Sequence, residues 1–476
     1  MKQKVTSEGF EILLNEKRSF AVPHALLPRE MKNHGNFIIS LSDLCQWLAA
    51  EAEAEGVEIF PGFAVADIVV DQGRVIGVET IPTGLAKDGK KKPNYEPGVK
   101  ILGTTIVLAE GAKGSTTKHV VEKFKLDSES CPGSYSIGFK EIWTFPNPSG
   151  TNAGNIFHTA GYPLSQSDYG GGFAYWKSET ELHVGFVVGL DYKNPFFSPY
   201  AAFQTWKNHP RIFEILKSGE CVSYGARVIA TGGIQSIPDL EFPGGMIVGC
   251  AGVGLLNVAK IKGSHTAMKS GMLAAEAIAG SVSKPAISYT ARLQQSWVFS
   301  ELQTVRNCKP AFTIFGGAIG GFAYSWLSLM LRGREPWTFR WGQLDWMKTE
   351  IAEKWKKVQL PSVPKSKVSF SLLDSVARTN VYHDADQPSH LKVVKPLVPL
   401  EISLPVFAGP ESRFCPAGVY EYLPVEGSEG NLQHPPNYRL QINAQNCIHC
   451  KSCVIKTPME FIEWTAPAGG PNYQGM

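Results

Sequence analysis

Cys447-Ile-His-Cys450-Lys-Ser-Cys453, preceded at a distance by Cys415-Pro416, is the part of this chain whose residue types and spacing can do chemistry. Three thiolates in a C-x₂-C-x₂-C run wrap one corner of an inorganic cube, because each two-residue gap turns the backbone around the core. A Cys followed by Pro is how [4Fe–4S] sites of the ferredoxin type usually complete the set. Here the Cys-Pro element comes before the triplet. A Cys₄ zinc site is the competing reading, but its usual signature is two separated C-x₂-C knuckles, which one contiguous triplet fits poorly. A cubane moves one electron at a time, so the quartet points to electron transfer. The other cysteines, Cys45, Cys131, Cys221, Cys250 and Cys308, stand singly and read as buried hydrophobes.

The 476 residues exceed what one core supports, so two or three domains are expected. A hydrophobic content of 43% with 19% charged residues describes a packed, slightly charge-poor protein, and a net charge of +3 gives no case for nucleic acid. Nine cysteines, an odd number with a cluster among them, imply a reducing compartment. The first twenty residues hold Glu8, Glu11 and Glu16 and no long apolar core, unlike a secretory or transit signal.

Periodicity predicts a helix capped by Ser42, with Leu44, Trp47 and Leu48 on one face and Gly56 at its end. Val57-Glu-Ile-Phe60 and Ala66–Val70 read as strands, and Asp71-Gln-Gly73 turns the chain into Arg74–Val78 as a hairpin. The Gly-, Pro- and Lys-rich stretch 82–97 reads as a solvated loop. Thr105-Ile-Val-Leu-Ala-Glu110-Gly111 is a buried strand ending in small residues that admit a flat or phosphorylated ligand, or simply a strand ending in Gly. Residues 134–240 are β-rich with glycine clusters, an antiparallel sheet inserted between two parts of another domain. A strand and Gly-rich turn over Phe242–Gly254 lead to a helix over about Ser264–Ile278, a geometry suited to an anion or to a plain βα turn. Residues 311–331 carry no charge and are followed by Arg332, Arg334 and Trp337. Their glycines weaken a membrane-spanning reading, leaving a helix lying in one leaflet or a buried core helix. Recurrent proline over 361–405 marks linker and extended chain.

Long motifs along the chain resemble those of the electron transfer flavoprotein–ubiquinone oxidoreductase family. They include Asn33-His-Gly-Asn36, Leu108-Ala-Glu-Gly111, Gly185–Tyr192, Tyr224-Gly-Ala-Arg227, Gly232-Gly-Ile-Gln-Ser-Ile-Pro238, Lys260–Gly271 and Leu331–Trp337. Cys415–Tyr422, Leu440–Cys447 and the closing Gly470–Met476 complete the set. The resemblance implies an α+β / α/β protein in which an FAD-dependent oxidoreductase-type domain carries an inserted antiparallel β quinone domain and a C-terminal ferredoxin-like [4Fe–4S] module. Residues 1–130 and 246–310 would form the flavin domain, 131–245 the quinone domain, 311–395 the membrane-associated helix and linker, and 396–476 the cluster module. It implies Cys415, Cys447, Cys450 and Cys453 as cluster ligands and Gly232 and Gly233 as quinone contacts. Glu110, Gly111, Gly252, Gly254, Lys260 and Lys262 fall on inner flavin-binding elements, and Ser19–Pro28 on a second membrane contact.

The same resemblance implies reduced electron transfer flavoprotein as electron donor and ubiquinone as acceptor, on a monotopic protein. Its place would be the matrix side of the mitochondrial inner membrane or a bacterial cytoplasmic membrane. The family's opening strand–G-x-G-x-x-G–helix unit for the FAD diphosphate has no counterpart in this sequence, so the flavin domain is expected to be incomplete. The rivals are an accessory protein that keeps the cluster module, and a related flavin-dependent lipid reductase. The cysteine quartet and the Gly232-Gly233 loop argue against the latter.

Overall fold

The computed structural model describes residues 3–146, 152–280, 288–356, 363–425 and 438–468. The closing motif Gly470–Met476 lies outside them. The chain opens with β1 (Ser7–Leu13) and β2 (Ser19–Ala21), followed by α1 (Leu41–Ala54). Strands β3 (Val65–Asp71), β4 (Arg74–Thr80), β5 (Thr83–Leu85), β6 (Lys91–Glu96), β7 (Lys100–Leu102) and β8 (Ile106–Leu108) lead to α2 (Ser115–Phe124).

The large sheet is built from β9 (Tyr135–Thr144), β10 (Asn155–Gly161), β11 (Gly170–Trp176) and β12 (Glu181–Gly189). Helices α3 (Pro199–Lys207) and α4 (Pro210–Leu216) then precede the longest strand, β13 (Glu220–Ala230). Next come β14 (Glu241–Phe242), β15 (Gly245–Ile247) and helices α5 (Ser264–Gly280), α6 (Tyr289–Gln295), α7 (Trp297–Thr304), α8 (Cys308–Ile314) and α9 (Ala318–Met330). The C-terminal module comprises α10 (Leu372–Ala377), β16 (Leu391–Val393), α11 (Leu404–Phe407), α12 (Glu411–Phe414), β17 (Tyr420–Pro424), β18 (Tyr438–Ile442), α13 (Cys453–Lys456) and β19 (Ile462–Trp464).

The seven-stranded sheet runs β13-β9-β12-β11-β10-β1-β2, antiparallel except where β1 lies parallel to β10. The expected antiparallel domain is therefore present, and it takes its last two strands from residues 7–21, which the sequence had placed with the flavin domain. Strands β9 and β12 are buried along nearly their whole length because α3 packs on them. Phe203 stacks on Phe139 at 5.6 Å, and Trp206 lies 5.8 Å from Phe186. The core of this sheet continues without a break into the C-terminal module: Phe139, Phe186 and Trp206 belong to the same buried cluster as Cys415, Cys447, Cys450 and Cys453. A separate core joins β8, β15 and the helices α2, α5, α6 and α7.

Several local expectations are corrected. Helix α1 is capped by Ser40, whose hydroxyl accepts from Asp43 N, not by Ser42, and its Trp47 and Leu48 stay exposed. Val57–Phe60 is irregular, because among the described residues no strand edge pairs with it. The expected loop 82–97 contains the hairpin β5–β6, anchored by Lys92 Nζ, which lies 3.0 Å from Asp384 and 3.3 Å from Asp386. Cys45 is exposed. The uncharged segment is two helices, α8 and α9, broken at Gly316 and Gly317, whose φ values of 74° and 106° a helix cannot contain. The proline-rich stretch is structured in part: α10 opens with a capping box between Ser371 and Asp374.

Inside the sheet, Lys207 and Glu141 form an ion pair at 2.8 Å with no exposure on either side chain. Trp143 Nε1 donates to the same carboxylate at 2.9 Å, and the ammonium lies 4.4 Å from the Phe370 ring centroid. Removing one partner strands a charge away from water. Lys207→Met is expected to lower unfolding free energy by about 3–5 kcal/mol. Chemical denaturation checks this, and the double variant Lys207→Met/Glu141→Leu should recover most of the loss.

Candidate functional site

The four cysteines converge from two directions. Cys415 leaves α12 in extended conformation just before Pro416, while Cys447, Cys450 and Cys453 follow β18, with Cys453 opening α13. Left-handed residues at His449 (φ 55°) and Lys451 (φ 67°) make the tight turns between the last three. All four cysteines line one small cavity, walled by Phe414, Tyr420, Ile448 and Trp464. Burial pushes each thiol up, Cys453 to about 12; neighbouring cysteines push the same way at Cys415, Cys447 and Cys453, whereas at Cys450 hydrogen bonds from Ser452 and the charge of Arg227 oppose it.

Without metal such a place favours four neutral thiols, and it would hold them as thiolates only with a cationic metal to neutralise the charge. Donors to sulfur are already present: His449 N donates to Cys447 Sγ at 3.4 Å, and the Ser452 hydroxyl lies 3.4 Å from Cys450 Sγ. The all-sulfur donor set and the apolar walls fit a [4Fe–4S] cluster.

Two further contacts fix the cysteine loops onto the large sheet. Val228 N in β13 donates to the Cys450 carbonyl at 3.0 Å, and the fully buried Tyr224 hydroxyl donates to the Pro416 carbonyl at 3.0 Å. Lys456, also fully buried, donates to Tyr192 O at 2.8 Å, and burial brings its ammonium down to about 7. Beside it, Asp345 accepts from Tyr135 N at 2.7 Å and from Ser134 Oγ at 3.0 Å. Burial opposes the charge on Asp191, but Lys309 and Lys348 outweigh it and hold that carboxyl well below its ordinary range.

Beyond Ala230, β13 runs into Thr231-Gly232-Gly233. From Val228 to Gly232 is four residues, about 13 Å along a strand. Gly233 has φ 72°, and Thr231 N donates to Ser134 O at 2.8 Å. Gly254 packs so closely on this loop that a Cβ there would sit 2.2 Å from Gly233 O, and its N donates to Gly252 O at 2.8 Å. One of the glycines assigned to quinone (233) and one of those assigned to flavin (254) thus pack backbone against backbone.

The remaining predicted residues are placed differently. The Glu110 carboxylate accepts from Thr116 N, Thr117 N and the Thr117 hydroxyl, so it caps α2. Its turn, containing Gly111, touches the cysteine loop, where Lys451 Nζ donates to Lys113 O at 2.9 Å. Lys260 and Lys262 line a second small cavity with Glu8, Asn33 and His158. Lys262 Nζ donates to Asn33 Oδ1 at 2.7 Å, which explains why the Asn33–Asn36 motif and the lysine motif belong together.

Sequence reading missed Glu301, which receives Lys260 Nζ at 2.6 Å, the His265 ring at 2.7 Å and Asn257 Nδ2 at 3.0 Å, and so shapes the whole 257–265 turn. It also missed His383 and His390, which pack against His449 beside the cysteines. No spacing rule marks Glu301. The histidines were detectable only as a pair seven residues apart, upstream of a motif that itself contains a histidine.

Residues 366–474 match the family model described as electron transfer flavoprotein-ubiquinone oxidoreductase, 4Fe-4S, and residues 135–229 the one described as ETF-QO, ubiquinone-binding. The human protein named electron transfer flavoprotein-ubiquinone oxidoreductase, mitochondrial, is 42% identical over 489 aligned residues, covering 99% of this chain and 77% of that protein. The chain belongs to this family. Its *Arabidopsis thaliana* and *Caenorhabditis elegans* members of the same name are 44% and 43% identical, over 97% and 100% of this chain and 72% and 80% of theirs. The family's quinone segment coincides with β9 through β13. Its cluster segment starts well before residue 396, as the pairing of β16 with β19 requires.

Cys450→Ala is expected to abolish the cluster, read as iron content and the reduced-state electron paramagnetic resonance signal. Tyr224→Phe leaves a buried carbonyl without its donor, at a cost of about 1–3 kcal/mol. It should speed cluster loss in chelator while leaving the initial iron content intact. Burial works against the Glu301 carboxylate, but its hydrogen bonds from His265, Lys260 and Asn257 hold it at about 2, below the ordinary 4.5 of a glutamate. That stabilisation is complete above pH 4.5 and is lost as pH falls toward 2. Glu301→Gln should therefore flatten the acid side of the stability curve in this window.

Proposed function

We propose that this chain passes electrons from reduced electron transfer flavoprotein to ubiquinone. The observation that carries the reading is the Val228–Cys450 hydrogen bond, which ties the ligand loop to the strand leading into Gly232-Gly233. When bound, the cluster supplies one-electron exchange, so a quinone accepts two electrons in succession and two protons to leave as quinol. The chain's own residues position the partners. The cysteines hold the metal, β13 fixes the spacing, and Gly232 and Gly233 offer backbone groups to a flat quinone head without side-chain obstruction.

FAD is assigned to the inner surface that includes Gly111, Gly252 and Gly254. Among the described residues no strand–G-x-G-x-x-G–helix turn is available for its diphosphate.

Membrane attachment rests on α8 and α9. Ile319 is 70% and Met330 65% exposed, and Phe315, Phe322, Trp326 and Leu327 are exposed with them. Phe20 and Leu26 add the second contact. Among the described residues no helix is long and apolar enough to cross a membrane, which supports a monotopic protein with a helical pair lying in one leaflet. The relatives' names support a mitochondrial location. We assign the chain to the matrix side of the inner membrane, or to the cytoplasmic membrane in a bacterium.

The decisive experiment reduces the cluster-loaded protein and mixes it with a short-tailed ubiquinone. Reoxidation of the cluster with formation of quinol is expected. In Gly233→Val it should slow at least tenfold, with the cluster signal unchanged. A reduced cluster that quinone does not reoxidise would sink the proposal. Separately, Ile319→Asp/Leu327→Asp should cut binding to liposomes at least tenfold, since each large apolar side chain contributes about 1.5–3 kcal/mol of burial.

A further inference from the structure

Gln235 lies in the short helical turn Ile234–Ser236 that closes the Gly232-Gly233 loop, and it is only 7% exposed. Both protons of its amide are committed: Nε2 donates to Arg306 O at 2.7 Å and to Phe339 O at 3.1 Å. A flipped amide would set its oxygen against those two carbonyls, so the nitrogen and oxygen cannot exchange places. The oxygen, Oε1, is buried and receives no hydrogen bond from any described residue.

A Cβ built on Gly233 would meet a single neighbour within 4 Å, this Oε1, at 3.3 Å. At Gly232 the same position is blocked by the Ser236 side chain. The loop is thus open at Gly233, and an acceptor with nothing to accept borders the opening. A buried polar atom of this kind calls for a donor from whatever occupies the space. Arg306 and Phe339 stand on either side of the α8–α9 pair in the chain, so the amide is anchored where the apolar helices meet the loop. A quinone offers only acceptors at its two carbonyl oxygens, and one of them against Oε1 sets lone pair against lone pair. Two electrons and two protons turn both carbonyls into hydroxyls, and only then does the ring carry a donor.

We propose that Gln235 is a specificity-determining residue of this loop, whose Oε1 accepts a hydrogen bond from the bound quinol, so that the site holds the reduced carrier more tightly than the quinone. The electrons come from the cluster and the protons from water, one to each carbonyl oxygen, while the amide stays neutral and binds no proton itself. A site built to bond a hydroxyl discriminates against the partner that lacks it, because its buried acceptor is then left unpaired. The inference deepens the proposed function and rests on its assignment of quinone to the Gly232-Gly233 loop.

The test is single-turnover reoxidation of the reduced, cluster-loaded protein by a short-tailed ubiquinone, with the matching ubiquinol added as competitor. Quinol cannot reoxidise the cluster, so its inhibition constant reads binding alone. In the wild type that constant is expected about tenfold below the quinone concentration giving half the maximal rate, the size of one hydrogen bond. Gln235→Met keeps the length of the side chain and removes both the oxygen and the anchoring nitrogen. Loss of the anchor alone weakens quinone and quinol together, so the reading is the ratio of the two. That preference should fall about tenfold, to near one, with the cluster signal unchanged. An unchanged ratio in Gln235→Met overturns the inference. If the variant fails to fold, the wild type decides, and a quinol that binds no more tightly than the quinone overturns it. A reduced cluster that quinone does not reoxidise at all overturns the proposed function and this inference with it, whereas reoxidation without a preference for quinol removes the inference alone.

Discussion

The 3.0 Å hydrogen bond from Val228 to Cys450 joins two parts of the chain more than two hundred residues apart, and much of the architecture exists to hold it. A loop with two left-handed residues and three buried sulfurs cannot hold its shape alone. It borrows rigidity from β13, the longest strand, whose own position is fixed by ten register partners on β9. The Tyr224–Pro416 bond repeats the attachment on the other cysteine arm. The cluster module is thus less an appended domain than one face of the sheet's core, and the same buried set includes Phe139, Trp206 and Cys453.

Charge is the cost of this arrangement. Lys456, Asp345, Asp191 and Lys309 are buried or nearly so where the module meets the sheet. Each is matched by an opposite charge or a backbone group, as burial of charge demands. Such a network tolerates little sliding, because displacing one member leaves another unpaired. The spacing between the cysteine loop and the glycine loop is accordingly held by directional contacts as well as by packing.

Local sequence patterns revealed what depends on local chemistry. The cysteine spacing, the β-rich stretch, the Asp71-Gln-Gly73 turn and the helix after Gly263 all appear where the residues suggest. What escaped depends on distant partners. Val57–Phe60 has strand-like composition but finds no edge to pair with among the described residues. Lys92 turns an apparently wet loop into a hairpin through aspartates almost three hundred positions away. Glu110 looked like a ligand contact because a strand ending in Glu-Gly is open to many uses, and its carboxylate is taken by the helix that follows. Glu301 carries no spacing signature and the histidine trio only the seven-residue gap between His383 and His390, since their meaning lies in what the fold brings beside them.

The break at Gly316 and Gly317 has an energetic consequence. An unbroken helix of the same composition could have reached the far side of a bilayer, whereas two short helices folded at the glycines lack that length. On a membrane, electrons and protons would then both arrive from the same aqueous phase. No charge would cross the dielectric, and the free energy of the reaction would leave as reduced carrier rather than as voltage. Such a protein feeds a chemiosmotic system without being one of its generators.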